Sequence, residues 1–169
     1  MPLLILGVLA HAGDRMLEIK SDDRPITYDE ALHPEGIGVG IFVGEPTAGL
    51  SASRRVGGQE SYLAGGVAWS ALNDQLHVHG DYLVEYYQLT DPEWPELAFP
   101  LYLGIGGRLR LGDGSALGVR IPIGISFVYG EDPLPLDAFL EVVPGVALYP
   151  ATVFTVDAAL GVRVYPFSD

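Results

Sequence analysis

Between Leu101 and Tyr129 the chain reads LYLGIGGRLRLGDGSALGVRIPIGISFVY, and its two faces are sorted the opposite way from a water-soluble sheet. On the first limb Leu101, Leu103, Ile105, Leu109 and Leu111 share one face, and Tyr102, Gly104, Gly106, Arg108 and Arg110 share the other. On the second limb Leu117, Val119, Ile121, Ile123, Ile125 and Phe127 alternate with Gly118, Arg120, Pro122, Gly124 and Ser126. A period of two means strands. Gly112-Asp113-Gly114 supplies the turn between them. One face is aliphatic along both limbs, while the other mixes glycine with arginine, a composition no ordinary apolar core holds. Aliphatic outside with small and polar inside is the pattern of a membrane-spanning barrel.

The same alternation starts at Gly36. Ile37, Val39, Ile41 and Val43 lie on one face of a first strand, followed by a weaker strand from Ala48 to Val56 and another from Tyr62 to Ser70. From Gln75 to Gln88, Leu76, Val78, Tyr82, Val84 and Tyr86 point outward, opposite His77, His79, Asp81, Glu85 and Tyr87. Leu89 to Leu97 is the longest interruption, where Pro92 and Pro95 exclude regular pairing. After the central hairpin, Leu136 to Leu148 and Phe154 to Tyr165 make the last pair. Eight strands of about 9–11 residues with tight turns account for nearly all of the chain from Gly36 on. The expected fold is all-β: an eight-stranded antiparallel up-and-down transmembrane β-barrel over residues 36–169. An irregular acidic N-terminal tail over residues 13–35 precedes it. Residues 1–12, an apolar run ending in Ala10-His11-Ala12, read as a partial signal peptide. The residues expected to face the membrane are Leu103, Ile105, Val119, Ile121, Ile123, Ile125, Val142 and Val162. Trp69, Tyr86, Trp94, Phe127, Tyr129, Tyr149 and Phe154 fall near strand ends, as interface girdles do.

Composition narrows the partners. A net charge of −13 argues against nucleic acid, and the absence of cysteine removes disulfides and thiolate metal sites. The only lysine is Lys20; every later basic residue is arginine, which suits fixed ion pairs better than a solvated coat. The expected partner is therefore the lipid bilayer, with the protein a monomer that carries no cofactor.

The inward charges are the main candidate site: Arg108, Arg110, Arg120 and Arg163 against Asp81, Glu85, Glu141 and Asp157. Side chains rather than water fill an eight-stranded bore, so these charges must pair. Glu141 and Arg163 share a face on neighbouring strands and are expected in contact or joined through one more charge. His77 and His79, two apart on a strand, are a weak metal candidate that lacks further histidine ligands; the expectation is that they join the polar network. Ser70 and Ser126 also point inward, but neither sits in a nucleophile elbow, so no catalytic residue is assigned. Gly104-Ile105-Gly106-Gly107 lies in mid-strand and not at a strand-to-helix turn, which excludes a nucleotide loop. In the central hairpin a three-residue loop, Gly112-Asp113-Gly114, would set Arg108 opposite Gly118 and Arg120 opposite Gly106, and would avoid facing two arginines.

From Gly36 to Phe167 the chain resembles the small eight-stranded outer-membrane barrels of Gram-negative bacteria, the OmpA and OmpX type. The tail Leu160-Gly-Val-Arg-Val-Tyr-Pro-Phe167 looks like their C-terminal strand, which ends in an aromatic residue. The resemblance implies the bacterial outer membrane and a non-enzymatic structural or interaction role. In that family the connections after odd-numbered strands face outward and are long; here they are short, so functions of long external loops are not carried over. Two other classes stay open. One is a soluble or secreted lipocalin-like barrel around a small apolar ligand, with the faces reversed. The other is a narrow pore or a lipid-modifying barrel enzyme.

Overall fold

A computed structural model describes residues 34, 36–44, 47–56, 61–70, 73–91, 94–129 and 135–166, with the side chains of 87–96 outside the description. The proposed signal peptide, nearly all of the acidic tail and Phe167 lie outside the described residues.

The described residues form β1 (Ile37–Gly44), β2 (Thr47–Arg55), β3 (Ser61–Ser70), β4 (Gln75–Asp91), β5 (Trp94–Gly112), β6 (Ala116–Arg120), β7 (Ile123–Tyr129), β8 (Leu136–Tyr149) and β9 (Val153–Val164). Every pairing is antiparallel. β9 returns to pair with β1, Ile41 facing Val162, so the single sheet closes on itself as a ring.

The strand count is nine, not the expected eight. The extra strand arises at Ile121-Pro122, which splits the second limb of the central hairpin into β6 and β7. Both pieces pair with β5 on one side and β8 on the other, so they occupy one position in the ring in succession. Proline has no N–H to give a ladder. The break is bridged by what remains: Ile121 N–H donates to the Pro144 carbonyl (2.8 Å), and Gly104 N–H donates to the Pro122 carbonyl (2.9 Å).

A second difference concerns Leu89 to Leu97. Pairing continues there: β4 runs to Asp91 and β5 starts at Trp94. Thr90 faces Ala98 and Asp91 faces Trp94, with a shift of register between them. Pro95 therefore falls in a bulge, where its missing N–H costs no ladder bond.

The central hairpin takes the register in which arginine lies over glycine. Arg108 faces Gly118 and Arg120 faces Gly106. Gly114 has φ +78°, the left-handed value that the third residue of such a loop requires.

Elsewhere too a glycine lies opposite a large inward side chain: Gly161 opposite Phe139, Gly124 opposite Tyr102 and Gly40 opposite Arg163. The bore is narrow, and pairing large with absent side chains lets it fill without clash. Aromatic packing completes the filling. Tyr62, Leu83, Tyr102 and Ala64 form one buried cluster, and Phe42, Phe139 and Ala68 another.

The outside is the reverse of a soluble protein. Ile105 is 63% exposed, Ile41 65% and Leu50 68%, whereas Asp137 is fully buried at 0% and Arg163 is at 5%. Leu103, Val119, Ile121, Ile123, Val142 and Val162 are likewise exposed. Ile125 is half-buried. Exposed Trp69, Tyr149 and Phe154 lie toward the end carrying the β1–β2, β3–β4, β5–β6 and β8–β9 turns. Exposed Tyr82, Tyr86 and Phe127 lie toward the end where β1 begins and β9 finishes.

Candidate functional site in the barrel interior

Period-two alternation turns every second side chain of each strand into the ring, so the charged residues meet where the registers bring them level. Three groups result along the bore.

Across its middle, Arg120 from β6 bridges two carboxylates. Its Nε lies 3.2 Å from Asp81 Oδ1 on β4, and its Nη2 lies 3.0 Å from Glu141 Oε1 on β8. Tyr102 Oη on β5 donates to the second oxygen of Glu141 at 3.1 Å. Toward the end with the chain termini, Arg163 Nη1 meets Asp137 Oδ2 at 3.1 Å, and its Nε donates to Ser51 Oγ at 2.7 Å. The same guanidinium stacks 4.0 Å above the Phe139 ring. Arg55 Nη2 pairs with Glu85 Oε2 at 3.1 Å. Toward the turn end, Arg108 bonds Asp157 and the Thr155 hydroxyl, both on β9 across the bore.

Of the eight charged residues expected inside, seven are in ion pairs: Arg108, Arg120, Arg163, Asp81, Glu85, Glu141 and Asp157. Arg110 makes no ion pair or hydrogen bond among the described residues, and its Nε is buried without a partner. The expected pairing of Glu141 with Arg163 is corrected. Register sets Glu141 opposite Ala159 and Arg163 opposite Asp137, so Asp137 holds Arg163 and Arg120 holds Glu141.

Two members of the network were absent from the expected set. Asp137 is on the same inward parity as Phe139 and Glu141. Arg55 follows Ser51 and Ser53 on the inward parity of β2, and that spacing was the available signal.

His77 faces Arg110 and His79 faces Arg108 across the β4–β5 ladder. His79 packs edge-on against Phe42 with ring centroids 5.5 Å apart. No set of three His, Asp or Glu side chains among the described residues converges to hold a metal. Ser70 and Ser126 are buried, and no hydrogen bond joins either hydroxyl to a histidine. The ion pairs neutralise most of the charge across the bore, and among the described residues the Ser70 and Ser126 hydroxyls have no hydrogen-bond partner.

At the turn end the filling is incomplete. A cavity of about 70 Å³ lies between β4, β5 and β9. His77, His79, Arg108, Arg110 and Asp157 line it, with Arg120 and Glu141 at its inner end. Comparison of the chain with family models, with curated proteins and with solved structures finds no match.

Proposed function

We propose that this chain is an integral β-barrel of the bacterial outer membrane, non-enzymatic, with a structural or interaction role and an interior sealed by paired side chains. The observation that carries the reading is the inversion of burial. Large aliphatic side chains cover the outside of the ring while arginine–carboxylate pairs fill the inside. Water would penalise that outer surface far beyond the patch sizes soluble monomers expose, and a hydrocarbon phase would not.

Dimensions agree. The 12 residues of β9 make a strand of about 40 Å, which at a tilt of ~35–45° spans ~28–33 Å of height. An apolar band of ~25 Å fits within it. The aromatic residues toward both ends sit where interfacial girdles belong. A lipocalin-like barrel would need the aliphatic face inside, opposite to the observed orientation.

Lipid exposure of Trp69 provides the test. Trp69 is 53% exposed on the outer face, and Trp69 and Trp94 are the only tryptophans. In a Trp94→Phe variant folded into vesicles, brominated lipid should quench the remaining fluorescence strongly, and soluble iodide should quench it weakly. The same vesicles should show no unitary conductance in a planar bilayer. A protein that stays monomeric in buffer without detergent, with Trp69 open to iodide, would overturn the reading.

A further inference from the structure

The interior charges are matched except at one place. Arg55, Arg108, Arg120 and Arg163 each have a carboxylate, and Arg110 has none among the described residues. Its neighbour across the ladder is His77. Arg110 Nε and His77 Nε2 are both buried, and neither has a hydrogen-bond partner. Two nitrogens left without partners on adjacent strands are costly, because each has given up water and received nothing. Both side chains line the cavity at the turn end. Next along the same wall stand His79 and Arg108, also facing one another. The wall is thus two arginines and two histidines on paired strands, within a chain whose net charge is −13. The opposing carboxylate, Asp157, is bonded to Arg108 and leaves Arg110 uncompensated.

The cavity has the right scale. At about 70 Å³ it exceeds several-fold the ~10–15 Å³ one water requires. It is not sealed from outside, since Asp157 at its rim keeps 37% side-chain exposure. Its inner end is closed by Arg120 and Glu141, so an occupant enters from the turn end and stops there.

We propose that this vestibule is a binding site for a small oxyanion, a phosphate or phosphomonoester, held by Arg110 and His77 with Arg108 beside them. Arginine supplies a planar fork of donors matched to phosphate oxygens. His77 Nε2 donates in the tautomer that carries its proton there. The bound group could be free phosphate or the phosphate of a lipid headgroup reaching over the rim; the chemistry at the nitrogens is the same. The proposal does not depend on the membrane reading, because the vestibule belongs to the closed ring itself.

The full chain, folded in a zwitterionic detergent without phosphate, is titrated with inorganic phosphate and followed by calorimetry and by ³¹P line broadening. One saturable site is expected, and Arg110→Gln should weaken it at least tenfold. Arg54→Gln, which alters an exposed arginine of β2, should leave it unchanged. His77→Gln gives a second reading should Arg110→Gln fold poorly, with a several-fold weakening expected. A parallel arm adds mixed micelles of a phosphomonoester lipid. Tighter, Arg110-dependent binding there identifies the headgroup as the source, and equal or weaker binding identifies the free anion. Absence of saturation by 10 mM phosphate together with absence of Arg110-dependent lipid binding would overturn the proposal, as would binding to which Arg110→Gln and His77→Gln are both indifferent.

Discussion

Replacing Asp137 by alanine should be among the most damaging single changes inside this barrel, and more damaging than replacing Glu141. The two carboxylates look alike in sequence and differ in what each leaves behind. Among the described residues Asp137 is the one carboxylate bonded to Arg163, and the two side chains keep 0% and 6% exposure. Removing it strands a buried guanidinium whose neighbours among the described residues include the Ser51 hydroxyl and the Phe139 ring, neither of which carries charge. Breaking a buried pair in this way costs ~3–5 kcal/mol. Glu141→Ala removes one of two carboxylates on Arg120, and Asp81 remains 3.2 Å from its Nε. The loss is then closer to that of a charge-assisted hydrogen bond, ~1.5–3 kcal/mol. Urea unfolding of the reconstituted protein, followed by tryptophan fluorescence, reads both. With a slope near 2 kcal/mol/M, Asp137→Ala should lower the midpoint by roughly 1.5–2.5 M and leave the slope unchanged. The double variant Asp137→Ala/Arg163→Met should recover part of the loss, because the stranded charge goes with its partner. If Asp137→Ala lies within ~0.5 kcal/mol of the parent, or is milder than Glu141→Ala, the pairing described here is wrong.

On the outer face, Ile105→Arg should cost ~2–4 kcal/mol when the protein is folded into lipid, with a smaller loss for Phe154→Arg near the turn end. Unfolding titrations in vesicles check this, and equal effects at the two positions would contradict a depth-dependent apolar environment. Inside, Gly106→Ala should destabilise by ~1–3 kcal/mol, since the new Cβ would lie 2.9 Å from Asp81 Cα and closer still to the Gly80 carbonyl oxygen. Gly80→Ala, where nothing stands within 4 Å of that position, should be nearly neutral by the same measurement.

The faces of the strands were readable from sequence because alternation is a local property. Once Leu103 and Ile105 share a face, Arg108 and Arg110 must take the other. The register of the central hairpin was readable for a related reason: its loop is short, and setting Arg108 against Arg120 was electrostatically poor. The partner of Arg163 was not readable. It depends on the stagger between β8 and β9, which the β8–β9 turn and the closure of β9 onto β1 set jointly. No residue near Arg163 announces that stagger, and a slip of four residues exchanges Asp137 for Glu141 on the same face. Pro122 and Pro95 misled in opposite directions. The first splits a strand that alternation shows as continuous, and the second is absorbed in a bulge where the sequence shows an interruption. Proline marks a missing donor, and whether a strand ends there depends on how neighbouring strands meet the gap. The unpartnered state of Arg110 was equally hidden, because only the assembled ring shows that Asp157 goes to Arg108.

The ion pairs also constrain the order of assembly. Arg120 reaches Asp81 across β5, Arg55 reaches Glu85 across β3, and Arg108 reaches Asp157 on the far wall. Arg163 reaches Ser51 across β1, a contact between residues 112 positions apart in the chain. None of these links exists in an isolated hairpin. A half-built sheet would therefore carry bare arginines and carboxylates on one face and aliphatic side chains on the other, a poor guest for water and for lipid alike. Intermediates of that kind are disfavoured from both sides, which favours closing the ring in one concerted step. The last strand, β9, supplies Arg163 and Asp157 and is the one that closes the ring onto β1. Its arrival satisfies charges at both ends of the bore in a single step.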